Sequence, residues 1–502
     1  MSNIVYNLPL FTIIPCLFSG VLCLVLNGKT ARRYTMLLEC VLIVLVSIIL
    51  WYTVTAGTAL TYPMGEFPAP WGNEIRAGAL EALIALLFLI VMFCSVLGGF
   101  HFVDLDIDES KINLYYALIN LMTAALMAMT WTNDVFTGYV FLEILTLSSC
   151  GVLIVREIGR TTLAAIRYMI LNLLGSGLFL LGIVLLYDVS GHLLMLPMQE
   201  TLSVLAEDPQ VFTVVTLATG ILTIGLGIKS GLFPFHFWMP DTYGMSTPTS
   251  ASVLSALVSK CYLFLLIKIY YRAVGITLIE RMPLKNVLFV LGICGMIFGS
   301  ISALRANHVN KMVAFSSAAQ IGYIYMGIGI GGTAGYTAAI FQIFAHSVTK
   351  SMLFLTTPRL AAVSGESLLF KQLQGSGLRD KNAGLFFTLG ALSMIGIPIF
   401  AGFSAKLLFG VAAVETVSLR KMILVILALA VSSLLNALYF IRTMIRIYTG
   451  HDKTVVPFRE RPVRNRISYN VPMLILLAGN LFLGLMSGTV VSIITKGLEM
   501  FS

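Results

Sequence analysis

The chain has 502 residues, of which 58% are hydrophobic and 11% are charged, and its mean hydropathy is +0.93. Because an ordinary soluble domain carries about 25% charged residues, this composition excludes a soluble globular protein and predicts a chain embedded in lipid. The formal net charge of +9 sits mostly in short loops between apolar runs. It therefore indicates membrane topology and argues against nucleic-acid binding.

Apolar runs of about 20 residues, the length that crosses a bilayer, recur throughout the chain. They predict an all-α membrane protein with about fourteen transmembrane helices and no soluble domain. The predicted spans are residues 7–27, 34–55, 77–101, 113–131, 134–156, 163–187, 211–235, 247–272, 285–303, 311–331, 335–358, 384–414, 420–448 and 469–496.

Basic residues cluster in the loops that follow odd-numbered spans, from Lys29, Arg32 and Arg33 to a run between Lys453 and Arg466. Loops after even-numbered spans are mostly neutral or acidic. Because positively charged loops stay in the cytoplasm, we expect a multi-pass protein of the cytoplasmic membrane with both termini on the outer side.

A weak internal repeat indicates how the spans are organised. The string Ala-Ala-Ile at 164–166 recurs at 338–340, and Lys229 and Lys406 each lie beside Gly and Pro in an apolar span. Repeats with an odd number of helices insert in opposite orientations, as in many transporters. We predict helices one to three over 1–112, two inverted five-helix repeats over 113–272 and 285–448, and a last helix within 449–502.

Ionisable residues deep in apolar spans are the strongest functional signal, since each costs roughly 2.5–3.5 kcal/mol at a helix centre on insertion scales. One buried lysine can serve packing, but six such groups over five spans favour a proton relay. Glu81, near the outer end of the third span, is either a candidate entrance to the relay or a residue that reaches the headgroups. Lys268 and Arg272 lie near a span end and are expected to snorkel. The six relay candidates are Glu143, Lys229, Lys260, His346, Lys350 and Lys406.

The seventh and twelfth spans carry helix-breaking residues beside a lysine. Gly and Pro follow Lys229 in GIKSGLFPFHFWMPD (227–241), and Pro398 and Gly402 precede Lys406. A simple proline kink is the alternative to a broken helix. Because unpaired backbone groups are tolerated in a membrane only against protein or a wet cavity, broken helices would bring water to these lysines.

Lysine suits proton transfer at such positions. Burial disfavours the ammonium form and a nearby carboxylate favours it, so a lysine between these influences can bind and release a proton near neutral pH. Glu143 is the expected partner of Lys229. His346 and Lys350 are four residues apart on one helix face, which strengthens the case for the histidine as a relay group.

Signals of a cofactor or metal site are missing from the sequence. The seven cysteines form no C-x-x-C pair, which argues against an iron–sulfur site. No phosphate-binding loop, dinucleotide fingerprint or metal-ligand cluster occurs either. We expect no cofactor, no metal and no catalysis in this chain, so that any electron transfer takes place in another subunit.

Several stretches resemble the signatures of the antiporter-like subunit family. This family comprises the large N-, M- and L-type membrane subunits of complex I (NADH dehydrogenase), large subunits of Mrp-type sodium/proton antiporters, and pump subunits of membrane-bound hydrogenases. GEFPAPWG (65–72) resembles the Mrp D-type members and their relatives in energy-converting hydrogenases. The other stretches are TNDVFTGYVFLEI (132–144), GIKSGLFPFHFWMPD (227–241), TPTSASVLSALVSK (247–260), NKMVAFSSAAQIGY (310–323) and FQIFAHSVTKSMLFL (341–355).

The resemblance implies a role for each buried group. Glu143 and Lys229 match the family's glutamate–lysine pair on the fifth and seventh helices, and Lys260 matches its bridging residue on the eighth. His346 and Lys350 match the eleventh-helix pair. In the same way, Lys406 matches the terminal lysine of the second half-channel. The resemblance also implies that the chain moves H⁺, with Na⁺ as a second candidate ion, beside other membrane subunits that include further antiporter-like ones.

The leading hypothesis is a proton-translocating subunit of a redox-driven or Mrp-type complex, and the alternative is a secondary Na⁺/H⁺ antiporter without a redox partner. A non-conducting scaffold is disfavoured by the buried charges, and an enzyme with its own quinone site by the missing cofactor ligands. A hydrogenase, a complex I relative and an Mrp antiporter all remain open.

Overall fold

The computed structural model describes residues 2–67, 72–416, 418–450 and 467–501. Within these ranges the chain is helical apart from one two-stranded sheet, as the apolar runs predict. Part of the GEFPAPWG stretch (68–71) and the basic run from Lys453 to Arg466 lie outside the described residues.

Three long helices and a hairpin open the chain. The strands pair antiparallel, with Leu60 opposite Ala77 and Pro63 opposite Glu74, and they define what we call the hairpin face of the bundle. The sequence did not predict this hairpin, because its strands are only four residues long. The elements are α1 (Ser2–Val25), α2 (Gly28–Ala56), β1 (Leu60–Pro63), β2 (Glu74–Ala77) and α3 (Ala79–Asp106).

The next nine helices cover the first predicted repeat. π-helical turns over Leu254–Val258 and Tyr270–Gly275 connect α10, α11 and α12 into one crossing. The short α7 was not predicted. The bounds are α4 (Ile112–Trp131), α5 (Val135–Ile154), α6 (Gly159–Ser190), α7 (Met195–Leu205), α8 (Pro209–Ser230), α9 (Met239–Met245), α10 (Pro248–Val253), α11 (Ser259–Ile269) and α12 (Ile276–Arg281).

The remaining helices cover the second predicted repeat and the C-terminal region. The span predicted over 469–496 is two helices that meet at Met486, so the prediction of one continuous helix was wrong. The inversion of the second repeat relative to the first stays a prediction. The bounds are α13 (Leu284–Arg305), α14 (Val309–Ile330), α15 (Gly332–Ala362), α16 (Ser376–Arg379), α17 (Lys381–Ile395), α18 (Ala401–Glu415), α19 (Leu419–Tyr448), α20 (Ile467–Leu485) and α21 (Ser487–Glu499).

Thirteen helical segments among the described residues are long and apolar enough to cross a membrane. Helices α17 and α18 have 15 residues each, so each helix is about 22 Å long. Either one alone is shorter than a hydrocarbon core of about 30 Å. Taken together as one broken helix, they would be a fourteenth crossing, the number that the sequence predicts.

Both predicted helix breaks are present. Helix α8 ends at Ser230, where Gly231 takes a φ of 85°, and α17 ends at Ile395, where Gly396 takes a φ of 92°. Glycine adopts this left-handed conformation without the steric cost that other residues incur. Proline follows within a few residues in each case and cannot continue the helix. The two crossings are therefore broken helices and not kinked ones.

The centre of the bundle is formed by the crossing of α10–α12 together with α14 and α15. In the α10–α12 crossing and in α15 every residue of the most apolar stretch is buried, and in α14 94% of that stretch is buried. By contrast, α2 and α19 are one third buried and present apolar side chains outward. The lysines and the histidine on the central helices are therefore enclosed by protein and kept from lipid.

Close packing at the second break gives a stability prediction. A Cβ at Gly402 would lie 1.8 Å from the Ser393 carbonyl oxygen, whereas a Cβ at Gly410 on the same helix would meet nothing within 4 Å. We expect Gly402→Ala to destabilise the fold by about 1–3 kcal/mol through overpacking. Gly410→Ala should be neutral or slightly stabilising, because alanine is the better helix former. Thermal unfolding of the purified protein in detergent measures both, and equal midpoints would contradict the tight contact.

Candidate functional site

The predicted glutamate–lysine pair lies together between α5 and α8. Lys229 is completely buried, and its Nζ lies 3.7 Å from Oε1 of Glu143, whose side chain keeps 20% exposure. This distance is too long for a hydrogen bond, and Oε1 has no hydrogen-bond partner among the described residues. Lys229 instead donates a 2.7 Å hydrogen bond to the Thr146 hydroxyl. The ion pair is therefore looser than a hydrogen-bonded pair.

Hydroxyl groups continue from Lys229 towards α11. The Tyr262 ring centre lies 5.5 Å from Lys229 Nζ, and the Tyr262 hydroxyl lies 3.2 Å from that of Thr146. Lys260 lies on the same helix, two residues before Tyr262. Thr146 and Tyr262 thus connect the first lysine site to the helix that carries the second.

Lys260 lies directly after the first π-helical turn. Its Nζ donates to the Ser255 carbonyl at 2.5 Å and to the Ser259 hydroxyl at 3.0 Å. The next carbonyl, that of Ala256, accepts a 2.6 Å hydrogen bond from the Ser347 hydroxyl on α15. Such turns are frequent at functional sites. Here the wider turn presents two backbone oxygens to side chains inside the bundle.

His346 and Lys350 lie one turn apart on α15. His346 is 1% exposed, and neither of its ring nitrogens has a hydrogen-bond partner within the described parts of the chain. Lys350 is fully buried and donates to the Val313 carbonyl, at 2.9 Å, and to the Ser316 hydroxyl. The charges of Lys260 and Lys350 both act on His346. A neutral imidazole can accept a proton at one nitrogen and release one from the other.

Lys406 is held by the end of a broken helix. Its Nζ donates to the Ile395 carbonyl at 2.6 Å and to the Met394 carbonyl at 3.5 Å. The last carbonyls of a helix have no partner within the helix, and the negative end of the helix dipole favours a cation. By stopping α17 at Ile395, the break creates the site that binds this lysine.

A small cavity is lined by both His346 and Lys406. Its volume of about 10 Å³ for a water centre admits one water molecule. Gln342 donates a 2.5 Å hydrogen bond to Gln320 at the cavity wall. His346 and Lys406 both line the cavity, so a water there would lie beside both side chains.

A second connection to Lys406 runs through α19. Ser316, which binds Lys350, interacts with the Tyr439 hydroxyl. Tyr439 donates a 2.6 Å hydrogen bond to Asn436, and the Asn436 amide nitrogen lies 3.5 Å from the Met394 carbonyl. The order of contacts is Lys350, Ser316, Tyr439, Asn436, the Met394 carbonyl and Lys406. The six predicted relay residues thus lie along neighbouring central elements, while their action as a relay stays a prediction.

The candidate entrance residue Glu81 is fully buried in the first turn of α3, at the hairpin face. Its Oε1 accepts a 2.6 Å hydrogen bond from Arg76 and lies 3.5 Å from Lys268 Nζ, while Oε2 accepts from the Gly78 amide at 3.2 Å. Glu81 therefore does not reach the headgroups. Its role as an entrance stays a prediction.

Lys268 and Arg272 do not snorkel to the headgroups, so that expectation was wrong. Lys268 is fully buried and donates to the Thr130 carbonyl at 2.9 Å, and Arg272, 7% exposed, donates to Asn133 at 2.9 Å. Because both residues lie near a span end, their side chains were expected to extend to the lipid headgroups. The hairpin, however, folds Arg76 over this end and encloses the charges together with Glu81.

Sequence reasoning missed a buried carboxylate, Glu39 on α2. It is fully buried, and its Oε1 accepts a 2.8 Å hydrogen bond from Thr123 on α4, while Oε2 has no partner among the described residues. Its position inside the second apolar run was the available signal. Elsewhere in the described chain, no group of three or more His, Cys, Asp and Glu side chains is placed to hold a metal ion.

Known proteins share both the sequence and the fold. Residues 132–435, more than half of the chain, match the family described as "NADH:quinone oxidoreductase/Mrp antiporter, TM". The N-type subunit of NADH-quinone oxidoreductase from Desulforudis audaxviator is 32% identical over 461 residues, covering 88% of this chain and 87% of that protein. The D-type subunit of the Na(+)/H(+) antiporter from Bacillus subtilis is 26% identical over 443 residues, covering 88% and 86%.

The fold is similar to that of a chain in the membrane-bound sulfane sulfur reductase, an archaeal respiratory membrane complex. The TM-score is 0.85 at 24% identity, with 99% of this chain and 97% of that chain covered. This likeness shows the fold, whereas the sequence matches show the family. The resemblance inferred from the sequence motifs is thereby confirmed, and the chain belongs to the NADH:quinone oxidoreductase/Mrp antiporter membrane family.

Proposed function

We propose that this chain is the proton-translocating subunit of a multi-subunit membrane complex. The observation that carries the proposal is a set of lysines inside the bundle on neighbouring helices, of which Lys260 and Lys350 are fully buried and Lys406 is partly buried. Lys260, Lys350 and Lys406 form no salt bridge among the described residues and are bound to uncharged oxygens. Because an uncompensated buried ammonium is costly, each of these lysines can give up its proton when a neighbouring acceptor is available.

The Glu143–Lys229 pair controls the first transfer. While the carboxylate stays near the ammonium group, their attraction keeps the proton on Lys229. When Glu143 moves away, Lys229 loses that attraction and releases its proton through the hydroxyls of Thr146 and Tyr262 towards Lys260. The proton then passes His346 and Lys350 and leaves from Lys406.

The relatives support two ways of driving this movement. A subunit of NADH-quinone oxidoreductase and a subunit of an Na⁺/H⁺ antiporter both align with nearly nine tenths of the chain. We therefore infer that the chain assembles with other membrane subunits, including further antiporter-like ones. Redox drive is the first candidate. Secondary Na⁺/H⁺ antiport is the second, favoured by the antiporter relative.

Orientation in the cell membrane follows from the charged loops. We place the hairpin face on the outer side and the opposite face in the cytoplasm, since the described basic loops after odd-numbered spans, such as the one with Arg32 and the one with Arg156, lie at that opposite face. Helix α21 ends at the hairpin face, where the Met500 carbonyl accepts a 2.6 Å hydrogen bond from Arg76. The C-terminus is therefore placed outside.

The test is ion movement by the purified complex, with its co-purifying subunits, in proteoliposomes. We expect the complex to build a pH gradient that a proton-sensitive dye reports in sodium-free buffer when the complex is energised by its electron donor. A gradient that forms only when a sodium gradient is imposed would favour antiport. Turnover of the partner subunits without any proton movement would contradict the proposed function.

A further inference from the structure

A large polar cavity opens at the face opposite the hairpin and is not part of the relay described above. We call it the vestibule. It measures about 720 Å³ and lies between the ends of α3 and α15 and the starts of α10 and α14. Asp106 and Arg156 form an ion pair of 3.1 Å in its wall. Residues that line it include Gly98, Asp106, Arg156, Pro248, Asn310 and Glu366.

An unsatisfied polar atom marks the inner side of the vestibule. The side-chain oxygen of Asn310, a lining residue that is only 6% exposed, has no hydrogen-bond partner among the described residues. Buried polar atoms are normally paired with protein or with ordered water. This oxygen therefore indicates water reaching inward from the cavity, towards the start of α14.

Three serine hydroxyls meet one helical turn below the vestibule. Ser95 lies three residues before Gly98 on α3, and Ser252 lies four residues after Pro248 on α10. The Ser95 and Ser252 oxygens are 2.7 Å apart, Ser252 donates to Ser351 of α15 at 2.8 Å, and Ser95 and Ser351 are 3.1 Å apart. All three side chains are fully buried. We call this group the serine triad.

The triad leads directly towards the central relay residues. Ser347 lies one turn deeper than Ser351 on α15, and it neighbours His346 in the chain. Its hydroxyl binds the Ala256 carbonyl, one turn deeper than Ser252 on the facing segment, and Lys260 follows one turn after Ala256. Polar groups thus recur at every turn from the vestibule to His346 and Lys260.

We propose that the vestibule and the serine triad form a proton intake path that joins the cytoplasmic side to the relay at His346. In each step an incoming proton binds one hydroxyl oxygen, and that hydroxyl releases its own proton to the next oxygen. One O–H bond forms for each one that breaks, and the final proton is accepted by an imidazole nitrogen of His346. This inference rests on the proposed function, because it supplies protons to the part of the relay that begins at His346, beyond the Glu143–Lys229 pair.

Packing alone is the competing explanation, since small residues allow transmembrane helices to approach closely. Threonine and valine separate the two explanations, because they have the same shape and differ in one hydroxyl. We expect Ser252→Thr to keep most of the proton translocation, and Ser252→Val to lower it about tenfold at equal assembly. Equal rates for the two variants would overturn the intake path. Thr356→Val on α15, whose hydroxyl bonds only to its own helix in the described structure, is the control and should translocate normally.

The same proteoliposome assay separates failure of this path from failure of the proposed function. If the unaltered complex moves no protons, the proposed function fails and the path with it. If it moves protons and Lys229→Ala does not, equal rates for Ser252→Thr and Ser252→Val overturn the path alone. Should both larger variants fail to assemble, Ser252→Ala combined with Ser351→Ala removes two hydroxyls without added bulk. Wild-type translocation by that double variant also overturns the path.

Discussion

Replacing Lys229 with arginine should abolish proton translocation while leaving the complex assembled. Arginine keeps the positive charge and the attraction to Glu143, but a guanidinium does not release its proton at physiological pH. A lysine that served only as a structural cation would tolerate this change. The measurement is the rate of pH-gradient formation in proteoliposomes, with assembly checked by native gel electrophoresis, and near-normal pumping would make Lys229 a structural cation.

Two further variants complete this test. Lys229→Ala removes the proton carrier itself and should also be inactive. Glu143→Gln leaves the lysine in place but replaces its charged partner with a neutral amide, so we expect translocation close to that of the alanine variant. Lys421→Arg is the matched control. That lysine donates to the Gly329 carbonyl at 2.9 Å outside the relay, and the change should leave pumping intact.

Glu81→Gln should cause the largest loss of stability among the charge variants considered. The change leaves Arg76, Lys268 and Arg272 buried without the carboxylate that two of them contact. Breaking a buried ion pair costs about 3–5 kcal/mol, because an uncompensated charge remains. We therefore expect a strongly lowered midpoint of thermal unfolding in detergent, or no recoverable protein.

Asp104→Asn provides the comparison for Glu81→Gln. Asp104 pairs with Arg32 at 2.8 Å, but its side chain is 38% exposed, and such pairs contribute about 0–1 kcal/mol. Its unfolding midpoint should stay near that of the unaltered protein. A Glu81→Gln protein as stable as the Asp104→Asn protein would show that water or lipid headgroups reach the cluster at the hairpin face.

The sequence predicted those features that depend on neighbouring residues. Gly231 and Pro234 beside Lys229 and Pro398 before Lys406 are enough to end a helix, so both breaks could be located, although Gly402, also named for the second break, lies inside α18. His346 and Lys350 are four residues apart, so their spacing alone predicted that they lie on one face of a helix. Apolar run length gave the number of crossings, because a bilayer fixes the length of a spanning helix.

Features that depend on contacts between distant segments could not be predicted. The burial of Lys268 requires the hairpin to bring Arg76 and Glu81 over the helix end, and four-residue strands give no detectable pattern. The Ser255 carbonyl that accepts a hydrogen bond from Lys260 lies in the π-helical turn at Leu254–Val258, which the sequence pattern did not indicate. Glu39 was overlooked although it lies within an apolar run. Its contact with Thr123 on α4 joins helices that are far apart in the sequence.

The lysines at the two broken helices have different kinds of partner, a side-chain carboxylate at Lys229 and backbone carbonyls at Lys406. Lys229 faces a carboxylate on a side chain, so under the proposed function a change in the rotamer of Glu143 would separate the pair. The oxygens that face Lys406 belong to the main chain, at the rigid end of α17. Moving these carbonyl oxygens away from Lys406 would require a change in the backbone conformation of α17. The two ends of the proposed relay are therefore unlike: the first lysine faces a side-chain carboxylate, and the last lysine faces backbone carbonyls.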